Sequence, residues 1–148
     1  MFPRLLRAMS TAAPTATAAA EAAKPTGLVM QIILRRDLVT NWPLGPMMAQ
    51  AAHAATAVQH LYADHPDMKR YLAGDDGRGY EVMRKAVLEV PDEKALRGLS
   101  EALAKAEIPH HLWVEEPEHE PTALAIIPNK RPKSLKKILD AAGCSLWK

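Results

Sequence analysis

Apolar residues in this chain come in short runs divided by polar turns, and the spacing inside each run assigns it to a strand or a helix. Leu28 to Leu34 is apolar almost throughout, with Val29, Ile32 and Ile33. It is short for a helix, so it predicts a central buried strand. Asn41, Pro43 and Gly45 then mark a turn, and Pro46 suits the first turn of a helix, where its missing N–H is not needed. Met47 to Tyr62 places Met47, Ala51, Ala54, Val58, Leu61 and Tyr62 along one stripe at helical spacing. A second, shorter helical piece is expected from Asp67 to Ala73 after Pro66, and the glycine-rich, charged stretch 74–79 reads as a loop.

Val82 to Val90 predicts the next strand, buried through Val87, Leu88 and Val90. Pro91-Asp92-Glu93 opens a helix whose Ala95, Leu96, Leu99, Ala102 and Leu103 recur at helical spacing to about Glu107. Two strands follow, His111 to Glu115 and Thr122 to Ile127, joined by the acidic segment 116–121. So short a link suits a hairpin, so these strands are expected to be antiparallel neighbours. Lys133 to Ala142 makes the last helix, stopped at Gly143. The order βαβαββα predicts right-handed crossovers with helices on the faces of a sheet. The expected class is α/β, a three-layer α/β/α sandwich around a mixed four-stranded sheet.

Composition narrows the organisation. With 148 residues and 48% hydrophobic content, the chain suits one compact domain, expected over 28–148, preceded by an extension over 1–27. That extension is rich in Ala, Ser and Thr and sets Arg4, Arg7 and Lys24 against Glu21. This is the composition of a mitochondrial transit peptide and equally of a disordered cytoplasmic tail, so both locations stay open. No apolar run is long enough to cross a bilayer, and no membrane partner is expected. The single cysteine, Cys144, can form no internal disulfide, and no Cys/His cluster has zinc-ligand spacing, so neither metal nor cofactor is expected.

Charge is segregated behind the formal net value of +2. Residues 129–148 hold Lys130, Arg131, Lys133, Lys136, Lys137 and Lys148 against the single carboxylate of Asp140, whereas 28–128 is net acidic. Lys133, Lys136 and Lys137 on the last helix either face a polyanion or serve as an ordinary solvated face. A homodimer and a protein partner are both left open.

The candidate chemistry centres on Gln50 and His53, three residues apart on an alanine-rich helix, and so on one side of it. A helix that thin lets another group approach closely. Arg35-Arg36-Asp37-Leu38 at the end of the first strand and Ala49-Gln50-Ala51-Ala52-His53-Ala54 on the helix resemble the opening of the type-2 peptidyl-tRNA hydrolases. Asn41-Trp42-Pro43, Asp64 to Pro66, Arg84 to Glu89 and Leu112 to Glu118 resemble, more closely, the divergent peptidyl-tRNA hydrolase domain-containing branch. The resemblance covers nearly all of 28–148 and implies the same order of elements.

What the resemblance implies is hydrolysis of the ester joining a peptide to the terminal ribose of tRNA, with tRNA or peptidyl-tRNA as partner. That reaction needs an activated water and a donor for the developing oxyanion. His53 would take the proton or polarise the ester, histidine being the residue type suited to proton transfer near neutral pH. Gln50 would orient water or donate to the oxyanion, and Glu115 stands where the family carries an aspartate. Thr122 matches a family threonine and would hydrogen-bond across the site. Each also has a plainer reading, as a helix-surface group, a charge in an acidic loop or a strand opener. Arg35, Arg36, Trp42, Lys133, Lys136 and Lys137 are the expected RNA contacts, with Trp42 either stacking on a base or closing the core beneath its loop.

Two departures stand against these matches. The family's turn before the helix presents lysines, whereas Val39 to Pro46 has none and is two residues longer. The family's loop after the third strand is replaced by the shorter acidic segment 116–121. Both lower the positive potential at the mouth of the site. The sequence therefore supports two classes of function, a peptidyl-tRNA hydrolase or a catalytically inactive RNA- or protein-binding module of the same fold.

Overall fold

In the computed structural model, which describes residues 22–148, all seven residues of β1 (Val29–Arg35) are buried. Complete burial follows from its place in the middle of the sheet, covered on both faces. The expectations for residues 1–21 lie outside the described residues. After β1 come a 3-10 turn (Asp37–Thr40), α1 (Leu44–Leu61), α2 (Pro66–Ala73), β2 (Arg84–Val90) and α3 (Glu93–Lys105). Then follow β3 (His110–Glu115), β4 (Glu120–Ile126), α4 (Lys133–Ala141) and β5 (Ser145–Leu146). The sheet order is β3-β4-β1-β2-β5, with β1 parallel to β2 and antiparallel to β4.

The strand alternation divides the core in two. Met30, Ile32 and Leu34 of β1 join Ala123 and Ala125 of β4 beneath α1 and α2, where Met47, Ala54, Val58, Met68 and Tyr71 meet them. Ile33, Leu124 and Ile126 point to the other face, against Leu96, Leu99 and Leu103 of α3 and Leu135 of α4. Burying each of the leucines, isoleucines, methionines and valines among them contributes about 1.5–3 kcal/mol, which is why these stripes fix the register. α3 starts where Asp92 Oδ1 accepts the Ala95 N–H at 2.9 Å. α2 starts after His65, whose Nδ1 accepts the Asp67 N–H at 3.2 Å.

The expected α/β sandwich is the architecture found, with differences of detail, among them that α1 starts at Leu44 rather than Met47 and takes in Gly45, expected in the turn. The sheet has five strands rather than four, because Ser145 and Leu146 pair antiparallel with Glu89 and Leu88. Two residues carry no periodicity, so nothing announces them. The strand expected from Val82 begins at Arg84, the chain before it being taken by a 3-10 turn at Gly79–Glu81. The β3–β4 hairpin is antiparallel, as expected, but its connection is Glu116–His119, since β4 starts at Glu120.

One irregularity of that hairpin positions a side chain. Trp113 pairs with Ala123 and Val114 with Pro121, so Thr122 is an extra residue with no partner on β3. Such a bulge re-aims the extra residue. Thr122 consequently reaches α1, on the same side of the sheet as its neighbour Ala123.

Candidate active site

Small residues bring α1 against the sheet: Ala54 is fully enclosed over β1 and β4. Gln50, one turn earlier, is 2% exposed, and its Oε1 accepts a 2.6 Å hydrogen bond from the hydroxyl of the enclosed Thr122. The Gln50 amide nitrogen meets no protein acceptor among the described residues, and the side chain as a whole is buried. The amide is thus held at its oxygen, and its N–H groups have no protein partner among the described residues.

His53 lies exposed on the next turn. Its ring stacks on Trp113 with centroids 4.7 Å apart and planes 16° from parallel. The Trp113 indole N–H donates to Glu115 Oε2 at 2.7 Å. Imidazole, indole and carboxylate form one line from α1 to the end of β3. His111 meets the edge of the same indole at 6.3 Å, and burial, followed by the neighbouring His110, holds its ring below the usual imidazole range. Tyr62 ties the end of α1 to β3 by donating to the His110 carbonyl at 3.2 Å.

Arg35 lies on the far side of the Thr122 bulge. Its side chain is 7% exposed and pairs with Asp37 at 2.6 Å, Glu120 at 2.9 Å and Glu93 at 3.4 Å. It also donates to the Pro121 carbonyl at 2.9 Å. The hydrogen bond to Asp37 raises the guanidinium's pKa against the opposing effect of burial, and the same bond holds the Asp37 carboxyl below its usual range. Expected as an RNA contact, Arg35 is instead turned inward, anchoring the two residues that precede Thr122.

The other expected RNA contacts do not converge on this site. Arg36 donates to Glu89 and to the Lys148 carbonyl, both at 3.1 Å, and lies 4.9 Å over the Trp147 ring. Trp42 is half-buried against the core beneath its turn. Lys133, Lys136 and Lys137 ride on α4, which packs on the opposite face of the sheet from α1, and Lys136 is bridged to Asp140. Cys144 is half-buried on that opposite side, its thiol pushed up to about 11 by burial and by Asp140. Such a thiol is a poor nucleophile.

The four residues expected to do chemistry fall into two contacting sets: Gln50 with Thr122, and His53 with Glu115 through Trp113. Trp113, which links the second set, is not among the residues expected to do chemistry. Its spacing from Glu115, two positions apart on one strand face, was the available signal.

On this βααβαββαβ sandwich the class follows from the family match: the chain belongs to the peptidyl-tRNA hydrolase PTH2 family, which it matches over residues 28–140. Among its relatives is a human protein 46% identical over 113 residues, covering 74% of this chain and 77% of the relative. A mouse protein is 44% identical over 108 residues, covering 71% and 74% respectively. Both relatives bear the name putative peptidyl-tRNA hydrolase PTRHD1.

Proposed function

We propose that this chain hydrolyses the ester between a peptide and the terminal ribose of tRNA, using Gln50 and His53 with Glu115 and Thr122 in support. The observation that carries the reading is the Thr122–Gln50 hydrogen bond, which engages the amide oxygen and leaves the N–H groups without a protein acceptor. An N–H donor fixed before the reaction stabilises the negative oxygen that develops when water adds to the ester carbonyl. His53, exposed one turn on, takes the proton of that water.

The tetrahedral adduct then collapses: the bond from carbonyl carbon to ribose oxygen breaks, and the proton held by His53 passes to the departing oxygen. The products are a peptide with a free carboxyl group and a tRNA with a free hydroxyl. Glu115 acts through Trp113, holding the indole on which the imidazole lies. No covalent intermediate is involved.

A second reading, an RNA- or protein-binding module without turnover, draws on charge. The 39–46 turn has no lysine, Arg35 is paired with three carboxylates, and the α4 lysines lie on the other face. Single-turnover cleavage of purified peptidyl-tRNA separates the two. The hydrolase reading expects cleavage by the wild type and a fall of about 10²–10⁴ in His53→Ala with an unchanged circular dichroism spectrum. Saturable, salt-dependent binding with no cleavage at any enzyme concentration would select the binding module instead.

A further inference from the structure

Gln31 is the misfit of the central strand. It stands within the buried run VMQIILR and is itself only 3% exposed. A polar side chain in such a place is more informative than any of its apolar neighbours.

Its orientation follows from Asn129. The Arg131 backbone N–H can only donate, so the Asn129 atom facing it at 2.8 Å is Oδ1. Asn129 Nδ2 therefore donates to the Ile127 carbonyl at 2.9 Å and to Gln31 at 2.7 Å, and Gln31 must offer Oε1. That turns Gln31 Nε2 away from Asn129. Nε2 meets no acceptor among the described residues, and Gln31 is part of the lining of a groove at the surface.

That groove, of about 450 Å³, lies between α4, β2 and β5, on the side of the sheet away from His53. Leu88, Leu135, Leu139 and Leu146 supply an apolar lining. Lys130, Arg131 and Lys136 bring cations to it, and because Lys136 is bridged to Asp140, Lys130 and Arg131 carry most of the uncompensated charge. The size falls in the range of small-molecule sites, which combine apolar walls with a few placed polar groups.

We propose that this groove binds small amphipathic carboxylates. The hydrocarbon lies along the leucines, and the carboxylate accepts from Gln31 Nε2 with Lys130 and Arg131 balancing its charge. An uncharged hydrocarbon would cover the amide without satisfying it, and a bare anion would leave the leucines wet. The carboxylate's second oxygen is left to accept from the cations of Lys130 and Arg131.

Nuclear magnetic resonance titration of the full chain with sodium octanoate tests this, with sodium acetate and 1-octanol as parallel arms. Octanoate is expected to give saturable shifts at the Gln31 side-chain amide and the Leu135 and Leu139 methyls, with an affinity at least about tenfold above either control. Gln31→Leu is expected to weaken octanoate about tenfold while leaving octanol unweakened. Should Gln31→Leu fail to fold, Lys130→Ala with Arg131→Ala is expected to weaken octanoate to the same degree. Shifts linear in octanoate to its solubility limit, octanol binding as tightly as octanoate, or octanoate affinity untouched by these substitutions would overturn the proposal.

Discussion

Replacing Thr122 by valine removes one hydroxyl and almost no volume, so it isolates the bond on which the candidate site rests. Thr122 is fully enclosed and its 2.6 Å hydrogen bond ends on the oxygen of a Gln50 side chain that is 2% exposed. Without the donor, Gln50 Oε1 is a buried acceptor with no partner, which costs about 1–3 kcal/mol. The added methyl group offsets part of that, leaving an expected loss of about 1–2 kcal/mol in urea unfolding at unchanged slope. Because the freed amide also rotates, turnover is expected to fall about 10²-fold, the usual effect of losing an oxyanion donor. Thr122→Ser, which keeps the hydroxyl, is expected to stay near wild type in turnover while losing about 1 kcal/mol of stability with its buried methyl. The double variant Thr122→Val with Gln50→Met leaves no orphaned acceptor and is expected to recover stability, giving a coupling of about 1–2 kcal/mol in the double-mutant cycle. Strictly additive losses, or a Thr122→Val cost below about 0.5 kcal/mol, would refute the reasoning.

Arg35→Met is expected to cost about 2–4 kcal/mol at pH 7, less than a fully buried pair because its carboxylate partners are 31–41% exposed. Since the Arg35 hydrogen bond holds Asp37 below its usual range, that part of the stabilisation is complete above about pH 4 and lost as pH falls through the lowered value, so the gap between variant and wild type should narrow in acid urea titrations. A gap that widens in acid would contradict the assignment. Trp113→Phe keeps a stacking ring but not the indole N–H, and is expected to lower kcat about tenfold with KM little changed, whereas a purely packing role would leave both intact. Alanine at Lys133, Lys136 and Lys137 together should leave cleavage of a short aminoacyl-ribonucleotide ester at its wild-type rate, because α4 lies across the sheet from α1; a tenfold loss would show that these lysines reach the site.

The layers of the fold were legible because β1 alternates its larger apolar side chains between two cores and α1 and α3 carry stripes at helical spacing. β5 was not, since Ser145 and Leu146 are held only by pairing with β2. The site was partly legible: Gln50 and His53 announce themselves on a thin helix, but the bulge that brings Thr122 to Gln50 is a property of the β3–β4 register. Arg35 shows the limit most clearly. Its partners Asp37, Glu93 and Glu120 lie 2, 58 and 85 positions away, and only folding brings those carboxylates around one guanidinium. Gln31 was unremarked because one polar residue in an apolar run does not change its period, although the partner that orients it lies 98 positions on.

The central claim is that the Gln50 N–H groups, which no protein acceptor engages, and the imidazole stacked on Trp113 receive the ester end of the substrate. Titrating labelled protein with an adenosine whose ribose carries a peptide through an amide in place of the ester tests it without requiring turnover. The account expects saturable shifts of the Gln50 side-chain amide, the His53 ring and the Trp113 indole N–H, all reporting one affinity. Saturable shifts confined to α4, with those three resonances unmoved, would contradict it.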